Sequence, residues 1–103
     1  MYKLAFFVPP THLDAVKEAV FDAGAGRIGH YEACCWQVAG TGQFRPTAGA
    51  EPFIGRLHET SRVEEFRVEM VCADEHIQAA VNALRQAHPY EEPAFDVWRL
   101  ETF

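Results

Sequence analysis

The hexapeptide HPYEEP, His88 to Pro93, gathers an imidazole, a phenol and two carboxylates between prolines. Pro89 and Pro93 restrict the residues before them, which makes this a stiff, extended connector. As a site it offers His88 with a carboxylate as a metal-ligand pair or an acid/base pair. As structure, His88 ends a helix, where an imidazolium suits the dipole. Tyr90 then packs, and Glu91 and Glu92 face water. The spacing favours the structural reading.

A second stretch, GAGRIG at 24–29, matches the dinucleotide fingerprint G-x-G-x-x-G letter for letter. That fingerprint works when a strand precedes it and a helix follows, because the pyrophosphate then meets free amides at a helix N-terminus. Here a helix comes before and a strand after, so a phosphate would meet the wrong end of the dipole. Dinucleotide binding is rejected. The glycines read instead as a left-handed helix stop and a tight entry into the next strand. Arg27 is left over, to be solvated, paired with an acid, or turned toward an anion beside the sheet.

The five histidines show no H-x-x-x-H or H-E-x-x-H spacing, and Cys34 and Cys35 lack the interval of a zinc site. A metal would have to be assembled from distant parts, such as His30, Cys34 and His88. No Ser-His-Asp or Cys-His-Asn order stands out. The segment from Gly40 to Arg62 is too long for a passive hairpin connection, and loops of that length are usually functional. Phe44, Arg45 and Phe53 give it an aromatic and cationic surface for a ligand. The same aromatics with Ile54 serve equally well as anchors that hold the loop down.

The elements that must position these groups follow from periodicity. Residues 2–8, YKLAFFV, alternate as a strand apolar on both sides, and Pro9 and Pro10 end it. Thr11 reads as an N-cap with Asp14 three residues on. Leu13, Val16, Val20 and Ala23 then repeat at helical spacing as far as Gly24. A second strand is expected at 31–39 and a third at 63–72. Asp74 caps a second helix carrying Ile77, Ala80, Val81 and Leu84, and a last strand spans about 94–100. This β-α-β-β-α-β order assembles most economically as a ferredoxin-like α+β sandwich, a four-stranded antiparallel sheet with both helices on one face.

The 103 residues suit a single domain, 1–103, with the long β2–β3 loop at about 40–62. A net charge of −6, with nine scattered Lys and Arg, argues against a nucleic-acid surface. Three cysteines, two of them adjacent, make no disulfide framework and fit reduced thiols in the cytoplasm. The apolar run LAFFV is too short for a signal core or a membrane span. Two helices cover only one sheet face, yet Phe7, Trp36 and Trp98 supply large apolar groups beyond it. A contiguous apolar patch on the open face implies a partner, most simply another copy of the chain. The alternative is that the 40–62 segment folds back over it.

Three long stretches in order, GAGRIGHYEACCW, GTGQFRP…GAEPFIG and HPYEEPAFDV, resemble the stand-alone, YqfO-like branch of the Ngg-interacting-factor-three family. That family is hexameric and carries a dinuclear metal centre. In its longer members this module is inserted into the larger domain that holds the metals, a domain this sequence does not match. The module is similar in fold to the PII signalling proteins and the CutA divalent-ion-tolerance proteins, both ferredoxin-like trimers. HPYEEP looks like the HPYE-x-P stretch of CutA, and 40–62 takes the place of the PII signalling loop.

The two-faced sheet, the long loop and the lack of a catalytic set point to a non-enzymatic, homo-oligomeric regulatory or binding module, and the likeness to PII and CutA implies a trimer rather than a dimer. Its subunit clefts, lined by Arg27, Tyr31, Phe44, Arg45, His88 and Tyr90, would take a small ligand or a protein partner. An alternative is divalent-metal binding of the copper-tolerance type through His88, Glu91 or Glu92, with His30 or Cys34. A third is a small hydrolase, with the histidine–carboxylate pair of HPYEEP as its foothold. No cofactor is required by the first reading; a divalent metal belongs to the second.

Overall fold

Alternation in the first strand sets the two sides of the molecule. In a computed structural model describing residues 1–103, β1 spans Tyr2–Val8, and Leu4, Phe6 and Val8 are completely buried. They are joined from one side by α1 (Leu13–Asp22) and α2 (Ile77–Ala87), which supply Val16, Val20, Ala80 and Leu84. Val68, Met70 and Cys72 of β3 (Ser61–Cys72) complete this core. Each such aliphatic side chain removed from water stabilises the fold by about 1.5–3 kcal/mol before entropy is counted.

β3 pairs antiparallel with β1, and β1 with β4 (Phe95–Arg99); β2 (Trp36–Phe44) pairs with β3, giving the sheet order β2-β3-β1-β4. This is the expected ferredoxin-like α+β sandwich. β1 pairs with Phe66–Cys72 only, whereas β2 pairs with β3 from Ser61 to Glu69. The β2–β3 hairpin therefore runs past the end of β1 as a two-stranded arm, and the molecule is elongated at 46 × 24 × 24 Å.

Several boundaries differ from expectation. The second strand is 36–44, not 31–39: the chain from Gly24 to Cys35 is a folded turn region, held by Gly26 N–H to Val71 O at 2.8 Å and Cys34 N–H to Gly26 O at 2.8 Å. Cys34 and Cys35 accordingly lie outside any strand. Both flanks of the long segment are strand, so the connection proper is 45–60. Thr11 does not cap α1; it sits inside the short 3-10 turn Pro10–His12, and neither helix has a side-chain N-cap hydrogen bond. Asp74 binds the N-terminal ammonium and Arg99 instead. That charge pair, with the ammonium's hydrogen bond foremost, holds its carboxyl below the usual carboxylate range.

GAGRIG ends the first helix as the turn chemistry requires. Gly24 has φ +112°, and Ala25 N–H reaches Val20 O at 3.1 Å, the long-range bond of a Schellman stop. The His76 ring, at the start of α2, packs so close to Gly24 that a Cβ there would lie 2.6 Å from its Cγ.

Candidate functional site

The open sheet face carries Trp36 and Val38 on β2, Lys3, Ala5 and Phe7 on β1, and Trp98 on β4, as the register dictates. Trp36 is 60% exposed and Trp98 45%. The apolar patch is not contiguous, however. Lys3, Arg67 and Glu69 occupy the middle of the face, with Glu69 paired to Arg67 at 3.4 Å and to Lys3 at 4.0 Å. The Arg67 guanidinium also lies 5.5 Å from the Phe7 ring centroid. Strand alternation placed charges between the aromatics, which composition alone does not reveal.

At the Phe7 end the loop 45–60 folds back over the sheet and meets the connection between α2 and β4. Pro46 O accepts from His58 N–H, Arg45 Nε–H donates to Thr60 Oγ1 at 2.9 Å, and Glu51 N–H donates to Glu91 Oε2 at 3.0 Å. Together these elements enclose a pocket of about 360 Å³. Phe7, Phe44, Phe53, Ile54 and Tyr90 supply its apolar walls. Glu65, Glu91, Glu92 and Arg45 supply its charge. Tyr90 stands between Phe44 and Phe53, with ring centroids 6.3 and 6.4 Å away, and Phe53 meets the edge of His12 at 5.7 Å.

His88 holds Tyr90 in place. The residue is 6% exposed; Nε2 lies 2.6 Å from Phe7 O, and Nδ1 accepts from Tyr90 N–H at 3.1 Å. These partners assign the neutral tautomer with the proton on Nε2. Burial pushes its pKa down, and the nearby His12 adds to that, against the opposing pull of the Phe7 carbonyl. His88 does end α2, with N–H to Leu84 O at 2.9 Å, but as a neutral buried ring rather than an imidazolium answering the dipole. With both nitrogens taken by the backbone, it forms no histidine–carboxylate pair.

Two polar groups in this pocket have no partner. The Tyr90 hydroxyl is buried and makes no hydrogen bond. Burial raises its pKa, and the nearby negative charge of Glu65 raises it further, so the phenol keeps its proton. The Glu65 carboxyl is half-buried, and desolvation alone raises its pKa, with no hydrogen bond or cation offsetting it. It lies over Gly42, where a Cβ would fall 2.1 Å from Glu65 Oε1. A side chain at 42 would displace it.

Of the six residues expected to share a cleft, Phe44, Arg45 and Tyr90 line this pocket, and His88 meets Tyr90 edge-on with ring centroids 4.9 Å apart. Arg27 and Tyr31 do not join them. Gly26 is bonded to Val71, beside Lys3, while His88 is bonded to Phe7. Four residue steps along β1, from Lys3 to Phe7, separate those anchors, about 13 Å. Arg27 lies in a shallow polar groove with Asp14, Asp22 and Glu32, and Tyr31 is 76% exposed. The same separation divides the metal candidates: His30 and Cys34 stand in the first connection, His88, Glu91 and Glu92 at the far end. No group of three or more His, Cys, Asp or Glu side chains is gathered to hold a metal ion. The sequence reading missed Glu65. Its signal is the open-face parity it shares with Arg67 and Glu69, opposite Gly40 and diagonal to Gly42.

The fold and its loop placement define the class: a PII/CutA-like module. The PII-like protein CutA of Nostoc superposes with a TM-score of 0.69 over 98% of this chain and 82% of its own, at 18% identity. Over its whole length the chain is similar to one part of the longer NIF3-related, YqfO-like proteins. The crystal structure of a Bacillus cereus protein related to NIF3 matches at 40% identity and a TM-score of 0.84, over 98% of this chain and 26% of that one. A Mycobacterium leprae protein named GTP cyclohydrolase 1 type 2 homolog is 50% identical over 98 residues, 95% of this chain and 26% of its own length. The chain thus spans about a quarter of the relatives it matches. No protein-family model matches it. No helix is long and apolar enough to cross a membrane.

Proposed function

We propose that the chain is a homo-oligomeric regulatory or binding module whose pocket at the Phe7 end of the sheet takes a small molecule. The observation that carries this is the unpaired Glu65 carboxylate in a pocket walled by Phe44, Phe53 and Tyr90, with the buried Tyr90 hydroxyl beside it unpartnered. An unsatisfied buried hydroxyl costs about 1–3 kcal/mol unless something else bonds to it. A ligand that turns the Tyr90 ring on binding would satisfy it. His88 is a positioning residue rather than a base, since its ring nitrogens serve the Phe7 and Tyr90 backbone. The three free cysteines are consistent with a reducing, cytoplasmic setting.

The open face supports self-association through Trp36, Val38 and Trp98, with the Lys3–Glu69–Arg67 row neutralised between them. Three copies is the number the CutA and PII likeness implies. A second copy is also the only route by which Arg27 or Tyr31 would approach the pocket. Sedimentation at micromolar concentration is expected to show an oligomer, and a fragment screen by amide-detected NMR to move Phe44, Glu65 and Tyr90 resonances. A monomer would remove the self-association, and a screen that leaves those resonances still would remove the pocket.

A further inference from the structure

We infer that the pocket's ligand is a small organic cation, an ammonium carried on an apolar body, gripped between Phe44, Phe53 and Tyr90 and neutralised by Glu65. This rests on the pocket reading above and names its ligand chemistry. Three tilted aromatic rings around one opening present negative π faces, the surroundings that hold alkylated ammonium groups. The charge beside them is acidic on balance: Glu65, Glu91 and Glu92 stand against the single guanidinium of Arg45.

Other ligand classes fit less well. An anion would face three carboxylates, and a neutral molecule would leave the Glu65 charge, already disfavoured by desolvation, uncompensated. A bare metal ion would find aromatic walls and no cluster of three ligating side chains. The net charge of −6 raises the local concentration of cations around the whole chain.

Three probes of nearly one shape and different charge test this: choline, its carbon isostere 3,3-dimethylbutan-1-ol, and 3,3-dimethylbutanoate. Each is titrated into the labelled full chain, with NMR of Phe44, Glu65 and Tyr90 as the readout. Choline is expected to saturate those shifts and to bind about tenfold more tightly than the alcohol. Glu65→Gln should weaken choline and leave the alcohol unchanged. Tyr90→Phe, which keeps the ring, should retain the preference for choline. Equal binding of choline and alcohol, or stronger binding of the carboxylate, would overturn the cation while leaving the pocket standing. If none of the three binds, the cation inference falls, and the fragment screen decides the pocket separately.

Discussion

On the helix side of β1, Leu4, Phe6 and Val8 meet apolar side chains from α1, α2 and β3, and no buried side-chain nitrogen or oxygen lacks a hydrogen bond. On the other side, Phe7 sits beneath an arginine, near a carboxylate without a counter-ion and a phenol without a partner. The same seven residues therefore border a region optimised for packing and one that carries unsatisfied polarity. The second persists in a structure whose aromatic walls, fixed loop and oriented Tyr90 give that polarity somewhere to act.

The contrast is most severely tested by Leu84→Ala in α2, which removes a fully buried side chain and should cost about 2–5 kcal/mol in urea unfolding. His88→Ala comes next, at about 2–3 kcal/mol, because it orphans both the Phe7 carbonyl and the Tyr90 amide. His88 also sets a pH dependence. Its folded pKa lies below the ordinary 6.5, so the unfolded chain takes up the proton first as pH falls. The stability that His88 contributes is complete above about pH 6.5 and is lost as pH drops from there through the folded value. His88→Gln should flatten that part of the profile in chemical denaturation at stepped pH.

The pocket side should respond in the opposite sense. Tyr90→Phe discards a hydroxyl that bonds to nothing, so unfolding should change by less than about 1 kcal/mol, neutral or toward greater stability. A large loss there would mean that the phenol is structural and would erase the distinction. Glu65→Gln should raise stability slightly at neutral pH. The folded carboxyl has a raised pKa, so its charged form is penalised above about pH 4.5, and the amide removes that penalty. Gly42→Ala should do least to the fold, since it displaces only the flexible end of Glu65.

Much of the core was legible because its signals are periodic. Leu4, Phe6 and Val8 repeat at two, and Val16, Val20, Ala80 and Leu84 at helical spacing, and each is fully buried. The second strand was misplaced because YEACC is as apolar as a strand, whereas the hydrogen bonds of Gly26 to Val71 and Cys34 fold that stretch into a turn. Half of the pocket could be named from the letters of HPYEEP and GTGQFRP. Which nitrogen of His88 is protonated, and that Glu65 has no counter-ion, depends on contacts between residues far apart in sequence. Arg27 and Tyr31 looked like neighbours of that site only while the length of β1 between them was unseen.

Tyr2 and Arg99 are register partners on adjacent strands, and Leu100 N–H donates to Met1 O at 3.0 Å. The backbone thus enters and leaves the fold about one strand spacing, some 5 Å, apart. A unit with such a doorway can be spliced into a longer polypeptide as a single excursion, with little demand on the host's geometry. It is equally suited to circular permutation: a short linker joining these ends, with a cut in the exposed 47–49 stretch, would preserve every strand pairing.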